Sequence, residues 1–302
     1  MPVVVSSAHM RAAATLGLGC SPKNLKPFQT DASIDWCIGM PAAAGQADVI
    51  LLFGGDGTIH RHLSQLVRLG LPVLIVPAGS GNDFARALGL RRVRDSLTAW
   101  RRFRDRRDNV RAVDLGVISP TGVGESPSPH EPEHYFCAVT GVGLDSEVAR
   151  LANGLPRWLR GHGGYAISLV PTIFRFSPLP MKILVSDESG WKTRSDQPTI
   201  LAAFANSSTY GGGMKIAPRA KVDDGQLDVC VVGSIDPFKL FCMFPTIYFG
   251  RHLSIREVAY FQATRLRVET DTPLDVYADG EYICQTPIEV SIAPLAMKVL
   301  TP

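Results

Sequence analysis

The sequence predicts an α/β unit followed by an all-β unit. The chain has 302 residues, which is too long for one typical domain and suits two. Short apolar runs at 49–53 and 73–76 alternate with helix-like stretches, the pattern of a parallel sheet covered by helices on both faces. After about residue 112 the segments become short, partly alternating in polarity and separated by Gly, Pro, Asp or Ser, which is typical of an antiparallel sandwich or barrel.

The helices follow from the same pattern. In the first unit we expect helices at 59–69, 83–88 and 95–107, the last with Asp95 or Ser96 as its N-cap. In the second unit two helical interruptions are expected, at about 145–175 and 236–250. The segment 119–134 is rich in Pro, Ser and Glu, and it is expected to form a mobile surface loop.

Composition excludes several classes of function. The formal net charge of +3 is too small to indicate nucleic-acid binding, and the seven histidines lack the spacing of a zinc site. Six scattered cysteines and an N-terminus without a signal-peptide pattern predict reduced, buried thiols in a cytoplasmic protein. The longest apolar segment, 238–249, is short and contains Lys239 and Pro245, so we expect no transmembrane segment.

Two glycine-rich turns follow the two buried runs. The first reads Gly-Gly-Asp-Gly-Thr at 54–58, and the second is the segment PAGSGNDFAR at 77–86. Such turns before helices either bind phosphate through backbone N–H groups or are ordinary tight turns. Asp56 would repel a phosphate, so it makes sense if it holds Mg²⁺, contacts a hydroxyl or accepts a proton. Because both turns end parallel strands, we expect them side by side at the carboxyl edge of the sheet.

Taken with segments further along the chain, these turns resemble the diacylglycerol kinase catalytic domain family, in its bacterial soluble lipid kinase branch, related to sphingosine and ceramide kinases. The later segments similar to the family are VDLG at 113–116, GVGLDSEVA at 141–149, ANSSTYGGGMKIAPRAKVDDGQLDV at 205–229 and ADGE at 278–281. Each is weak alone, but they occur in the expected order from about residue 30 to the end.

The resemblance implies a fold, two ligands and a partner. The fold is an α/β nucleotide-binding domain like that of NAD kinases, at 1–112, and a β-sandwich lipid-binding domain at 113–290, with the active site between them. Residues 291–302 would pack back near the first domain. ATP and Mg²⁺ would bind in the cleft, and the second substrate would be a lipid at an anionic membrane surface, reached by a cytoplasmic, peripherally associated protein. A homodimer is left open.

The resemblance also implies roles for individual residues. ATP would contact the first turn and its helix, a threonine near the nucleotide and the second turn, where serine replaces the family's usual threonine; these residues are Thr30, Gly54, Gly55, Asp56, Gly57, Thr58, Ile59, His60, Ser80, Asn82 and Asp83. Glu281 would be the general base, with Asp279 and Asp56 as the next candidates. The alternative for Asp279–Glu281 is a plain β-hairpin, since Asp-Gly is the commonest hairpin signal.

The segment KVDDGQLDV also allows two interpretations. It is an Asp-Gly turn, or it is the family's metal loop, in which Asp224 ligates Mg²⁺ together with the carbonyl groups of Lys221 and Gln226. Oxygen ligands alone suit a hard cation.

Two departures from the family fall on the nucleotide side. The chain lacks the Asn-Pro-x-(Ser/Thr)-Gly loop that many members have after the first strand, although 17–24 stands in its place, and it has His60-Arg61 where many members have Asn-Glu. Three functions therefore remain: a lipid kinase, a kinase of a soluble hydroxyl substrate such as NAD, and an inactive relative that binds lipid or nucleotide. The segments NDFAR and GGGMKIAP favour the first.

An arginine-rich helix is the expected membrane contact. Residues 91–111 contain nine arginines and three aspartates. The segment is either a solvated helix with internal ion pairs or a surface that binds anionic lipids, with Trp100 and Phe103 dipping into the interface. A weaker apolar contribution is expected from 155–176.

Overall fold

The computed structural model describes residues 9–122, 133–154 and 164–302. In those ranges the strands are β1 (Met10–Leu16), β2 (Ile34–Ile38), β3 (Val49–Gly54), β4 (Val73–Pro77), β5 (Val110–Pro120), β6 (His134–Phe136), β7 (Val139–Gly143), β8 (Leu179–Asp187), β9 (Gly190–Ala205), β10 (Leu227–Gly233), β11 (Val258–Ala263), β12 (Arg265–Thr270), β13 (Asp275–Ala278), β14 (Glu281–Gln285) and β15 (Ile288–Leu300). The α-helices are α1 (Pro22–Leu25), α2 (Asp56–Leu69), α3 (Asp83–Ala87), α4 (Val93–Arg106), α5 (Leu144–Gly154), α6 (Gly164–Ile173) and α7 (Pro237–Ile247).

The first unit is the expected parallel sheet. Its strands lie in the order β4-β3-β1-β2, and all neighbours are parallel. Every residue of β3 and of β4 is buried, which explains their apolar runs without polar alternation. Helix α2 buries Ile59, Leu63, Leu66 and Leu69 and ends at Gly70, whose φ of 61° is the left-handed conformation that glycine adopts without strain.

The helix at 93–106 differs from its prediction at one end. It begins at Val93, two residues before the expected start, because Arg92 is the N-cap. Neither Asp95 nor Ser96 caps it, so both candidates were wrong. The Asp95 carboxylate instead accepts a 2.8 Å hydrogen bond from the backbone N–H of Arg92, and the buried Ser96 hydroxyl donates to the carbonyl of Ile75.

Two long strands run through both units. β15 pairs antiparallel with β5 along most of its length, and near its end Val299 pairs with Val73 of β4 in parallel register. Asp114 of β5 helps fix this crossing, since its carboxylate accepts 2.7 Å hydrogen bonds from the backbone N–H groups of Leu295 and Gly225. The two units therefore share one sheet, and the division at 112/113 stays a prediction.

The second unit is antiparallel. From β15 the sheet continues β12-β8-β9-β7-β13-β14, with β10 joining β9 to β11. Its strands enclose one apolar core, and a second core lies beneath α5, α6 and α7, which cover the outer face of β9 and β10. The α/β plus all-β fold class and both helical interruptions are thus confirmed. Of the predicted loop 119–134, residues 123–132 lie outside the described residues, as do 155–163 of the first interruption.

Two surface predictions were wrong. Trp100 and Phe103 are only 1% and 4% exposed, since they face the first core, so they cannot dip into a membrane. Cys37 and Cys242 are exposed, whereas all six thiols were expected to be buried. Among the described residues, no helix combines the length and the apolar character needed to cross a bilayer.

Candidate active site

A cleft of about 690 Å³ lies where the carboxyl ends of β3 and β4 face the second unit. Its walls come from the two glycine turns, from α5, from the 210–212 loop and from the β13–β14 turn; they include Gly55, Asp56, Gly57, Thr58, Ser80, Asp83, Asn153, Tyr210, Gly212, Tyr248, Asp279 and Glu281. Leu18, in the loop that follows β1, also lines the cleft. The cleft therefore brings residues from both units together.

The two glycine turns touch through their backbones. A Cβ on Gly79 would lie 2.4 Å from the Cα of Gly55, and a Cβ on Gly55 would lie 2.8 Å from the Cα of Gly79. No side chain fits at either position, so glycine is required by close approach. Asn82 shapes the second turn from within, because its side chain bonds both the N–H and the carbonyl of Gly79.

Asp56 holds the second turn against the first. One carboxylate oxygen accepts a 3.0 Å hydrogen bond from the N–H of Asp83, and the other accepts a 3.1 Å bond from the N–H of Phe84, at the start of α3. Burial raises the pKa of Asp56 to about 6; the charges of Asp83 and Asp279 add to the rise, and the two N–H groups oppose it. The carboxylate is thus a brace between the turns.

Asp83 connects the second turn to the other unit. It is 3% exposed, and its Oδ2 accepts a 2.8 Å hydrogen bond from the backbone N–H of Gly212. Its Oδ1 accepts from the Arg86 guanidinium at 2.7 Å. Gly212 has a φ of 86°, so the loop turns through a conformation that favours glycine as it meets Asp83. The Gly-Gly-Gly segment of the sequence is therefore part of the cleft wall.

Asp279 is a buried junction of three elements. Its Oδ2 accepts from the N–H of Cys137 at 2.9 Å, and its Oδ1 accepts from the N–H of Ala138 at 2.8 Å. The Nδ1 of His60 on α2 lies 3.1 Å from Oδ2. Burial lowers the pKa of His60, but the hydrogen bond to Asp279 and the charges of Asp279 and Glu281 outweigh it, so the pKa is raised overall.

Glu281 lies against the first glycine turn. Its Oε1 lies 2.9 Å from the position that a Cβ on Gly57 would take, so the carboxylate rests over the first turn of α2. The hairpin is tight, with Asp279 at a φ of 51° and Gly280 at 87°. The carbonyl of Gly280 accepts a 2.8 Å hydrogen bond from Asn153 of α5, which fixes the hairpin over the cleft.

Most of the predicted residues meet in this cleft, and a few lie elsewhere. Gly54 is buried beneath Thr58, whose Cβ would be 2.5 Å from a Cβ at that position. The Ile59 side chain points into the core, so only its backbone belongs to the turn. His60 reaches the cleft only indirectly, through Asp279, and Asn82 faces its own turn.

Thr30 is not near the other predicted residues. Its hydroxyl accepts a 3.4 Å hydrogen bond from Arg104 in the last turn of α4. Arg102 in the same helix donates to the carbonyl of Pro302. Pro302 follows Val299, which pairs with Val73, the first residue of β4, so this end of α4 lies near the amino end of β4. The cleft is at the carboxyl end of β4, so Thr30 lies at the opposite edge of the sheet.

The turn at 221–226 lies at the surface and carries two carboxylates. Among the described residues, that of Asp224 is in no ion pair. Asp224 Oδ1 accepts a 3.1 Å hydrogen bond from the N–H of Gln226, while Asp223 pairs with Arg111. Gly225 is bonded to Asp114, which anchors the turn to β5. Within the described ranges no group of three or more His, Cys, Asp or Glu side chains could hold a metal ion. A cation here would depend on carbonyl oxygens.

Comparison with known proteins decides the family. A model of the diacylglycerol kinase catalytic domain matches residues 35–118, and a model of the YegS C-terminal NAD kinase beta sandwich-like domain matches residues 138–301. A diacylglycerol kinase from Mycobacterium tuberculosis is 34% identical over 268 residues, which cover 86% of this chain and 79% of that protein. The chain belongs to the diacylglycerol kinase family. Another relative, a Bacillus subtilis diacylglycerol kinase, is 26% identical over 80% of the chain and 73% of its own length.

Solved structures agree with this family fold. A diacylglycerol kinase from Bacillus anthracis has a TM-score of 0.66 at 19% identity, with 97% of both chains covered. An NAD kinase from Archaeoglobus fulgidus, solved in complex with ATP, has a TM-score of 0.55 at 13% identity and covers 97% of this chain and 94% of its own. At these identities the likeness concerns the fold alone, and it confirms the NAD-kinase-like architecture of this diacylglycerol kinase family member.

Proposed function

We propose that this protein is an ATP-dependent lipid kinase, which transfers the γ-phosphoryl group of ATP to a hydroxyl of a lipid such as diacylglycerol or a long-chain base. The observation that supports it most is the position of Glu281. Its carboxylate lies against Gly57, at the N-terminal end of the 14-residue helix α2, in a cleft walled by both units. Phosphoryl transfer to a hydroxyl requires a base close to a group that binds the phosphates, and a helix N-terminus is such a group.

The residues present fit a nucleotide. No side chain caps α2 at Gly55, so the N–H groups at the start of this helix are available to an anion. The phosphates of ATP would lie against Gly55, Gly57, Thr58 and Ser80. Bound ATP would supply the phosphoryl group and its charge, which the positive end of α2 stabilises.

Each acidic residue then has a separate role. Glu281 accepts the proton of the lipid hydroxyl as the oxygen attacks, the task of a general base at hydrogen-bond distance. Asp279 positions Glu281, because it fixes the hairpin through Cys137, Ala138 and His60. Asp56 and Asp83 are positioning residues rather than phosphate contacts, since all of their carboxylate oxygens accept hydrogen bonds inside the protein.

Mg²⁺ is proposed to bind at the 221–226 turn through Asp224 and the carbonyl groups of Lys221 and Gln226. The turn supports this role because Asp224 is exposed and, among the described residues, only its Oδ1 accepts a hydrogen bond, from the Gln226 N–H. Asp114 ties this turn to the crossing of β5 and β15, so the ion would stabilise the junction of the two units. A cytoplasmic protein that associates with the membrane surface, as a monomer or a homodimer, is consistent with this function.

A phosphorylation panel tests the proposal. The protein is incubated with Mg²⁺ and radiolabelled ATP together with diacylglycerol, sphingosine or ceramide in mixed micelles, and with NAD in parallel. Label on one of the lipids is the expected result. Label on NAD alone would move the activity to a soluble hydroxyl. Binding of a fluorescent lipid with no label transferred to any acceptor would identify an inactive relative.

A further inference from the structure

Two neighbouring helices of the second unit carry almost no charge. α6 and α7 contain a single charged residue, Lys239, which pairs with Glu257 at 2.6 Å. A helix that is apolar all round is normally buried on every side. Here, within the described part of the chain, each helix covers the core with one face and turns its other face to solvent, an arrangement that favours an apolar partner.

The inner faces of these helices are well packed. Leu169 and Ile173 of α6 and Leu240 and Met243 of α7 are at most 6% exposed and cover the core beneath. They also line an apolar cavity of about 40 Å³. That volume suits a few water molecules, and the cavity lies beneath the helices, so it does not account for the apolar outer faces.

The outer faces form one aromatic patch, defined as Val170, Phe174, Phe238, Phe241 and Phe249. Their exposed fractions are 42%, 52%, 67%, 40% and 74%. The patch crosses from one helix to the other, since the rings of Phe174 and Phe241 lie 5.9 Å apart. Phe238, Phe241 and Pro245 share a face of α7 by their spacing, and Phe249 follows the end of that helix. Clusters of exposed large apolar side chains mark a binding surface.

Three cations lie close to residues of the patch along the chain or through a backbone contact. Arg175 follows Phe174 directly, Arg251 is two residues after Phe249, and the backbone N–H of Lys215 bonds the carbonyl of Ile247 at the end of α7. All three side chains are exposed. Aromatic groups that enter the interface, ringed by basic groups at the level of the phosphates, match the chemistry of an anionic lipid bilayer.

The patch is continuous with the cleft. Tyr248 follows α7 immediately and lines the cleft, and its ring packs edge-on against Phe244, with ring centres 5.9 Å apart. If the patch enters the surface of a bilayer, the mouth of the cleft therefore lies at the level of the lipid headgroups. We infer that the aromatic patch docks the protein on anionic membranes; the inference rests on the proposed function, because it is the lipid substrate that requires such docking.

The arginine-rich helix α4 is a weaker candidate for this role. Its two aromatic side chains are buried, so it offers charge without insertion. Part of its charge is also neutralised locally, since Arg102 pairs with Asp108 and Arg104 with Asp105. The aromatic patch combines exposed rings with flanking cations, which is the stronger arrangement for a surface-bound enzyme.

Sedimentation with vesicles of equal parts phosphatidylcholine and phosphatidylglycerol, without nucleotide or diacylglycerol, tests the docking. The parent protein should sediment with the vesicles, and Phe238→Ser/Phe249→Ser should bind at least about tenfold more weakly. Ile38→Ser is the matched control, because Ile38 is 64% exposed on the edge strand β2 of the other unit, and it should bind like the parent. Equal thermal melting of all three proteins checks that the fold is intact.

Two results would overturn the docking inference: a parent protein that does not bind the vesicles, or a double variant that binds them as well as the parent. If that double variant is a monomer in sedimentation equilibrium while the parent is a dimer, the patch is instead an interface with a second copy of the chain. Failure of the proposed function has a different signature: patch-dependent vesicle binding persists, but no lipid is phosphorylated.

Discussion

The Nδ1 of His60 lies 3.1 Å from the Oδ2 of Asp279, and this contact joins the two units at the wall of the cleft. His60 belongs to α2, which begins with the first glycine turn, and Asp279 begins the hairpin that presents Glu281. Both groups are well buried, with side-chain exposures of 13% and 0%. The distance between the glycine turn and Glu281 is therefore fixed in part by a titratable pair.

This pair predicts a pH-dependent stability. The folded pKa of His60 is raised above its ordinary value of 6.5, so its stabilising contribution is complete below pH 6.5 and is lost as pH rises through the folded pKa. His60→Gln should lower the melting temperature most in mildly acidic buffer, and the difference from the parent should shrink towards alkaline pH.

His62→Gln is the control for that experiment. Burial and the charge of Arg61 lower the pKa of His62, so its contribution is lost as pH falls, the opposite trend. A melting-temperature difference for His60→Gln that stays constant with pH would show that the contact is not titrated. NMR titration of the His60 ring gives the pKa directly.

A second pH effect comes from Asp56. Its folded pKa is about 6 and its ordinary value is 3.8, so the folded state binds a proton more tightly and loses stability as pH rises through this window. The side chain of Asp56→Asn cannot ionise. The urea midpoint of this variant should therefore rise relative to that of the parent as the pH is raised from 3.8 to about 6. A difference that is the same at both ends would contradict the raised pKa.

The glycine contact predicts a steric effect. Gly79→Ala places a Cβ 2.4 Å from the Cα of Gly55, so the two turns must separate. Overpacking of this kind typically costs about 1–3 kcal/mol, and kinase activity should fall because the phosphate site is distorted. Gly45→Ala, where a Cβ meets nothing within 4 Å, should leave both unchanged. Urea unfolding and the lipid kinase assay measure the two effects, and a stable, active Gly79→Ala would refute the close contact.

The metal proposal predicts a change in Mg²⁺ dependence. Asp224→Ala should raise the Mg²⁺ concentration needed for half-maximal activity and remove the increase in melting temperature that Mg²⁺ gives the parent, since an ion bound only to the folded state stabilises it. Asp223→Ala is the neighbouring control, because Asp223 pairs with Arg111 instead. If Mg²⁺ shifts the melting of parent and Asp224→Ala equally, the 221–226 turn is an ordinary Asp-Gly turn.

Local patterns in the sequence were enough to predict the strands and turns around the site. The uninterrupted apolar runs of β3 and β4 indicated a doubly covered parallel sheet, and the strand–glycine–helix order placed both turns at one edge. These features depend on residues close together in the chain. The same holds for the Asp279–Glu281 hairpin, whose Asp-Gly pair signals its own geometry.

Contacts between distant residues could not be predicted from the sequence. Nothing near Asp56 indicates that its carboxylate caps α3, or that Asp83 bonds the N–H of Gly212, 129 residues away. The placement of Trp100 failed for a similar reason: an arginine-rich helix suggests a solvated surface, but its indole N–H donates to the carbonyl of Phe28 inside the first core. For the His60–Asp279 contact the sequence did offer one indication, because His60 stands where many family members have Asn.

The most direct test of the proposed chemistry is the turnover number of Glu281→Gln with Mg²⁺-ATP and the accepted lipid. The amide keeps the size of the side chain but cannot accept a proton, so kcat should fall at least about a hundredfold, the usual scale for a lost general base, while nucleotide affinity and melting temperature stay at parent values. Glu188→Gln, on the exposed β8–β9 turn, should retain full activity. A Glu281→Gln enzyme that turns over at near the parent rate would contradict the assignment of Glu281 as the base.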